Sequence, residues 1–420
     1  FFSLLYPNAI PMPAWADSTA TSDRMNEPCA IEEEDAPFLQ ARQTSAWARS
    51  IWPRVACVLF ISAGIPWLFC FACPGAAVTL WAYMIRAPTV SISRVVRAQL
   101  RLQDGYGVNS VERSGVDAFT VRGHKIFVKR DDQLRLPGTN LSGNKARKMY
   151  ALHRWGPGQV PRMLVSYGGA QSNAMLALAL VAKAKGVPLT YFTKPIPRWL
   201  RETPSGNYAE ALALGANITA VSSELYKSFE QTGCPTQLVP EGSLWIPQGG
   251  ACALAEPGVQ NLASEIKDWL RDVQEFEDPF CVVLPAGTGT TALFLARHLE
   301  GVAAVVAIPC VGDAEYLQQQ MSRVDAASGD RREFPAILDM PPTRPFGVPD
   351  PALLEVWETV RAAGLEVDLL YAPRAWEVLL QACDAQHRLV RGKKILYVHS
   401  GGLEGVGTML ARYRRQGYCS

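Results

Sequence analysis

The chain lacks an excess of charge of either sign: 41 basic residues stand against 39 acidic ones, a net charge of +2. That balance argues against a nucleic-acid binder, which needs a basic patch to neutralise phosphates. It also lacks a cysteine framework. Its ten cysteines show no spacing of a disulfide scaffold. Cys234, Cys252, Cys281, Cys310 and Cys383 stand in mixed apolar surroundings, so reduced core cysteines in an intracellular protein are expected. Cys70 and Cys73 form a CxxC, but no second pair or nearby histidine completes a zinc set, and no metal is expected. No internal repeat is found, which leaves no basis for a repeat array.

What is present is a globular composition, 48 % apolar and 19 % charged over 420 residues. That suits two or three domains with a large core. Residues 1–105 differ from the rest. They open on Phe1 and not Met, as a fragment or a conceptual translation would. Glu27 and the run Glu32 to Asp35 are unusual for a transit peptide, which is poor in acids. From Val55 to Ile85 there is no charged residue. That length exceeds the ~20 apolar residues a bilayer span needs, although Pro66, Pro74 and Gly75 interrupt it. The stretch reads as a membrane helix, as a targeting segment, or as a part absent from the mature protein.

From about Asn109 the chain alternates strand-like and helix-like runs with short Gly/Pro/Asn punctuation. Lys125–Lys129, Arg162–Tyr167, Val187–Phe192, Asn217–Val221, Phe280–Leu284, Val302–Ile308 and Lys394–His399 read as strands. Helices lie between them, among them Lys145–Trp155, Asn173–Lys185 and Ala292–Leu299. The alternation predicts an α/β protein with a parallel sheet covered on both faces. Ligands in such sheets sit beyond the carboxyl ends of the strands.

Four segments at such places carry chemistry. Ser142-Gly143-Asn144-Lys145-Ala146-Arg147-Lys148 puts a lysine at a helix start, and lysine forms an imine with an aldehyde cofactor. Asn144 is placed to hold the phenolic oxygen of that cofactor. Gly168-Gly169-Ala170-Gln171-Ser172-Asn173 runs from a strand into a helix. Ser172 or Asn173 caps that helix, or the helix start binds a carboxylate and offers the Ser172 hydroxyl to a substrate. Gly287-Thr288-Gly289-Thr290 follows a buried strand and opens a helix, the arrangement that binds phosphate. The loop lacks the GK[ST] ending of a P-loop and the third glycine of a dinucleotide fingerprint, so a single phosphate monoester fits it better than a nucleotide. His399-Ser400-Gly401-Gly402 ends a strand; Ser400 is placed to meet a ring nitrogen, and His399 reads as a satisfied core histidine. Tyr371 stands just before a helix, where its phenol can reach a site. An imine-forming lysine, a monophosphate cradle, a carboxylate-binding helix start and a serine near a ring together match pyridoxal phosphate chemistry.

Val128-Lys129-Arg130-Asp131-Asp132 through Ser142–Lys145, followed by Gln171-Ser172-Asn173, resembles the 1-aminocyclopropane-1-carboxylate deaminase / D-cysteine desulfhydrase family. That family belongs to the tryptophan-synthase-β-like, fold type II pyridoxal phosphate enzymes. The resemblance covers roughly residues 108–420. It implies two parallel-sheet, three-layer α/β domains with the cofactor in the cleft between them: residues 106–157 and 251–420 as the large cofactor-binding domain, 158–250 as the small one. It implies that Lys145 carries the cofactor and moves protons at Cα, and that Asn144 holds the phenolic oxygen. Lys148 and Gly287-Thr288-Gly289-Thr290 would bind phosphate. Ser172 would be the nucleophile, Gln171 and Asn173 its neighbours on the substrate, and Tyr371 a tyrosine near the substrate.

The chain departs from the family pattern at three places. Many members continue Gln-Ser-Asn with His, where this chain has Ala174. Ring-opening deaminases carry Glu after the tyrosine and Leu after the C-terminal His, where this chain has Ala372 and Ser400; desulfhydrases carry small or hydroxyl residues there. Ser400 is therefore the candidate for the ring-nitrogen contact. The resulting expectation is a lyase turning D-cysteine into pyruvate, hydrogen sulfide and ammonia. The alternatives are 1-aminocyclopropane-1-carboxylate deamination, action on another small amino acid, and a non-catalytic pyridoxal phosphate-binding homologue. A homodimer inside the cell is expected, with mitochondrion and plastid as candidate compartments and membrane attachment resting on Val55–Ile85 alone.

Overall fold

The computed structural model describes residues 113–419 apart from 233–236, 274–278 and 329–333. The Val55–Ile85 run, the Cys70/Cys73 pair and Cys234 lie outside the described residues. The chain begins with strands β1 (Val116–Val121) and β2 (His124–Lys129), then helix α1 (Gly143–Arg154). Next come β3 (Met163–Tyr167), α2 (Asn173–Lys185), β4 (Leu189–Thr193), α3 (Arg198–Glu202), α4 (Gly206–Ala213), β5 (Asn217–Ala220), α5 (Ser223–Thr232) and β6 (Ser243–Ile246). The last part is α6 (Glu256–Asp272), β7 (Phe280–Ala286), α7 (Thr290–Leu299), β8 (Ala304–Pro309), α8 (Ala314–Ser328), β9 (Ala336–Ile337), α9 (Pro351–Ala362), α10 (Ala372–Asp384), β10 (Lys394–Val398) and α11 (Val406–Arg415).

Two sheets result. The larger has the order β1-β2-β10-β7-β8-β9 and the smaller β5-β4-β3-β6. Every pairing is parallel except β1 with β2. That antiparallel edge departs from the purely parallel expectation, and its cause is local. Arg122 and Gly123 both take positive φ, 49° and 83°, the two-residue turn whose twist matches a hairpin.

Both sheets are covered on both faces. In the larger sheet Val128, Val283 and Tyr397 pack with Trp357 and Trp376 on one side, while Val282, Leu284 and Leu396 pack with Val259, Leu262 and Phe294 on the other. Alternate residues of one strand thus serve opposite cores, as the period of two requires. In the smaller sheet Leu164 and Tyr191 meet Met175 and Leu178 of α2, and Val165 and Tyr167 meet Tyr226 and Phe229 of α5.

Helix α1 is shared between the two halves. Its Ala146, Met149 and Leu152 enter the core of the smaller sheet. Its Arg147 crosses to α6, where Nη1 donates to Glu265 Oε1 at 2.7 Å. Arg147 also donates to Asp131 Oδ1 at 2.7 Å, and Lys129 Nζ donates to Glu265 Oε2 at 2.7 Å. All four side chains are buried. This neutral quartet fixes α1 on the larger half while its apolar stripe belongs to the smaller.

Candidate active site

Both sheets change winding direction at one place. The chain leaves β7 toward β8 and β9 and returns on the far side of β7 as β10; likewise it leaves β3 toward β4 and β5 and returns as β6. At such switch points the loops beyond the strand ends diverge and open a crevice. Residues from those loops and from the start of α1 line one cavity of about 380 Å³. That is near the lower end of the ~300–1,000 Å³ typical of small-molecule sites. Lys145, Asn144, Lys148, Asn173, Gly287 to Thr290, Tyr371 and Ser400 all line it; Gln171 and Ser172 do not.

Local sequence explains the placement of Lys145. Gly143 has φ +63°, and a Cβ there would collide with the carbonyl oxygen of Ser400. Asn144 N–H donates to that same carbonyl at 2.8 Å. The glycine therefore lets the start of α1 dock on the β10 loop, which aims Lys145 at the cavity. Burial pulls the Lys145 amine down to about 8, against the opposing pull of Asp368 and Glu404. Burial and the charge of Lys145 together push Lys148 well below the ordinary lysine value. Lys148 Nζ donates to Gly249 O at 3.0 Å and to Thr288 Oγ1 at 3.4 Å.

The loop after β7 supplies an anion cradle. Gly289, at φ +68°, precedes α7, and a Cβ there would collide with Met321. Cβ atoms at Gly249 and Gly287 would come to 3.2 Å from Thr288 Cγ2 and 3.3 Å from Tyr371 Cε1. Thr288 Oγ1 and Thr290 Oγ1 stand 2.9 Å apart. Backbone amides at a helix start, two hydroxyls and a lysine thus converge where side-chain bulk is excluded. The half-buried Lys145 and the buried Lys148 both have lowered pKa values and neither makes an ion pair among the described residues, so an anion beside them would be favoured. A phosphate monoester would answer that need, and the Lys145 amine on the same cavity wall would suit one that also carries an aldehyde. Asn144 Oδ1 accepts from the Thr291 hydroxyl at 2.6 Å, so Nδ2 is the donor left over. These residues fit pyridoxal phosphate.

The Gln171-Ser172-Asn173 segment is placed differently from what its motif implies. Ser172 Oγ accepts from the amides of Ala174 at 3.1 Å and Met175 at 3.4 Å, an N-cap of α2. Gln171 Nε2 donates to Ser205 O at 2.9 Å, and Gln171 Oε1 accepts from Tyr208 N at 3.4 Å, so its amide holds the start of α4. Asn173 reaches the cavity, and its Oδ1 accepts from Asn207 at 2.6 Å. His399 donates through Nε2 to Glu366 O at 2.7 Å and accepts from Gly401 N at Nδ1, a satisfied core histidine as expected.

Sequence reasoning missed Asp368, Glu404, Gly249 and Arg135 on the cavity wall. Asp368 had a readable signal. An aspartate ahead of Tyr371-Ala372-Pro373 is a helix-start pattern, and Asp368 Oδ1 accepts from Tyr371 N at 2.6 Å. That bond sets the backbone of Tyr371, whose phenol burial pushes up in pKa. Among the described residues no cluster of metal-binding side chains occurs, and no helix is long and apolar enough to cross a membrane.

Comparison with known proteins agrees with the geometry. An Arabidopsis thaliana protein named bifunctional D-cysteine desulfhydrase/1-aminocyclopropane-1-carboxylate deaminase, mitochondrial, is 27 % identical over 305 residues, covering 68 % of this chain and 74 % of its own. A Thermotoga maritima protein, whose name gives 1-aminocyclopropane-1-carboxylate deaminase as a provisional assignment, is 26 % identical over 298 residues, covering 68 % and 90 %. The crystal structure of an ACC deaminase homologue superposes with a TM-score of 0.57 at 22 % identity, covering 74 % of this chain and 98 % of its own, and so shares the fold. The profile described as "Pyridoxal-phosphate dependent enzyme" matches residues 107–401, and the chain belongs to that family, with the fold type II architecture and pyridoxal phosphate as its cofactor.

Proposed function

We propose that the chain is a lyase that converts D-cysteine to pyruvate, hydrogen sulfide and ammonia. The observation that carries the reading is Lys145, its amine pulled down to about 8 by burial, in a small cavity beside a phosphate cradle. When bound, pyridoxal phosphate supplies an aldehyde carbon for an amine and a ring that accepts electrons from a bond at Cα. Lys148, the Thr288 and Thr290 hydroxyls and the amides at the start of α7 would hold its phosphate. Asn144 Nδ2 would hold its phenolic oxygen, and Ser400 would be the contact for its ring nitrogen. Asn173 and the start of α2 bind the substrate carboxylate, and Tyr371 closes the wall beside Gly287. Lys145 Nζ would remove the proton from Cα, the thiolate would leave Cβ and take up a proton as hydrogen sulfide, and water would hydrolyse the remaining enamine to pyruvate and ammonia. Lys145 is favoured over Ser172 as the base because two amides already occupy the lone pairs of Ser172 Oγ.

Two positions favour the thiol substrate. Ala372 and Ser400 stand where ring-opening relatives carry a carboxylate and a leucine. A ring nitrogen met by a serine makes a weaker electron sink, sufficient where a good leaving group departs. Ring opening of 1-aminocyclopropane-1-carboxylate is the second reading, supported by the names of both curated relatives.

Purified full chain assayed for sulfide and ammonia with D-cysteine, L-cysteine and 1-aminocyclopropane-1-carboxylate decides between them. Sulfide from D-cysteine is the expected result. Ammonia from the cyclopropane substrate without sulfide from D-cysteine transfers the assignment. Cofactor binding with no turnover of any of the three leaves a binding homologue.

A further inference from the structure

Asp368 sits in the turn ahead of α10 with 5 % of its surface exposed, on the wall of the same cavity as Lys145. Its Oδ1 accepts from Leu370 N at 2.9 Å and Tyr371 N at 2.6 Å, and its Oδ2 from Ala372 N at 3.2 Å. These bonds occupy both carboxylate oxygens and favour the charged form, yet burial outweighs them and raises the Asp368 pKa. No arginine or lysine lies within ion-pair distance of Asp368 among the described residues. A buried carboxylate without a contacting cation is costly, and Lys145, which lines the same cavity, has no contacting carboxylate either. Burial raises the pKa of Asp368 and lowers that of Lys145, and the charge of Asp368 acts against burial to raise Lys145 again.

Of the remaining groups around this pair, His399 favours the charged form of Asp368 but makes no ion pair with it. His399 is committed to Glu366 O through Nε2. Tyr371, Tyr397 and Cys310 are held in their neutral forms by burial. Lys148 repeats the sign of Lys145. Glu404 shares the wall but is exposed, so solvent screens it.

We infer that Asp368 is a positioning residue for the proposed reaction: it holds the ammonium form of Lys145 in the cavity and thereby sets the pH at which Lys145 becomes a base. The inference rests on Lys145 being that base. Trace acetylation of the cofactor-stripped full chain across a pH series, read by mass spectrometry on the Lys145 peptide, tests it without any substrate. The labelling midpoint is therefore decided separately from the sulfide assay. In the parent chain the midpoint falls at about 8. Removing an anion that favours the protonated amine lowers it, so Asp368→Asn labels faster at neutral pH. A midpoint near 7 raises the neutral fraction at pH 7 from roughly a tenth to roughly a half, a ~5-fold faster labelling. Glu404→Gln shifts it less. Asp368→Ser, which keeps a capping oxygen, gives the same readout if the asparagine disturbs folding. An unchanged midpoint in folded Asp368→Asn or Asp368→Ser overturns the inference.

Discussion

Glu265→Gln should destabilise the protein far more than a surface carboxylate change. Glu265 Oε1 accepts from Arg147 Nη1 at 2.7 Å, and Oε2 accepts from Lys129 Nζ at 2.7 Å and Arg147 Nη2 at 2.9 Å. The quartet holds two cations, Lys129 and Arg147, and two anions, Asp131 and Glu265. The amide keeps the volume but removes one anion, leaving two buried cations opposite Asp131 alone. Breaking a buried pair in this way costs about 3–5 kcal/mol, against ~0–1 kcal/mol for an exposed pair. Urea unfolding of the holoenzyme at neutral pH reads the difference. Burial acts to raise the pKa values of Asp131 and Glu265, but Arg147 and Lys129 outweigh it and hold both below the ordinary carboxylate value. A depressed folded-state pKa contributes stability above the unfolded value and loses it as pH falls through the folded one. The gap between parent and variant should therefore be full above pH ~4.3, the unfolded glutamate value, and close in stronger acid. A loss under about 1 kcal/mol at neutral pH would refute the argument that the quartet is a coupled buried unit.

Gly289→Ala places a Cβ against Met321 in a left-handed backbone. It should cost about 1–2 kcal/mol of backbone strain plus ~1–3 kcal/mol of overpacking, read by urea unfolding, and weaken pyridoxal phosphate binding in a fluorescence titration. With Lys145 as the proposed cofactor lysine, reloading of stripped protein should quicken as pH rises toward about 8 and then level, since burial pulls its amine down to that value; a pH-independent rate would contradict this. Ser172→Ala should lose about 1 kcal/mol of stability and Ser172→Gly only a few tenths, measured by the same unfolding. Equal losses would mean that capping is not what Ser172 contributes.

Much of the fold was legible because strands buried on both faces read as short, continuous apolar runs, as Phe280–Ala286 does, with helices between them. Asn173–Lys185 is a helix in sequence and in structure alike, closed by Gly186 in the left-handed region. Strand β1 escaped notice because it is an edge strand with three exposed positions and no clean alternation. Helix α7 begins at Thr290, two residues before its apolar run, because the cradle threonines form its first turn.

The site was legible where chemistry and backbone coincide. Gly143 is demanded by the approach to Ser400, and Lys145 follows from it. Gln171 shows the opposite case. Its side chain is spent on Ser205 and Tyr208, partners that only the folded chain brings near, whereas the Ser172 cap on Ala174 and Met175 is local. Asp368 lies far in sequence from Lys145, and only the return of β10 beside β7 joins their two loops around one cavity.

The most direct measurement is the attachment point of the cofactor. Reducing the holoenzyme with borohydride, digesting it and sequencing the labelled peptide by mass spectrometry should place the pyridoxyl group on Lys145. A label on Lys148 or on any other lysine, or no label on a protein shown to bind the cofactor, would contradict the account.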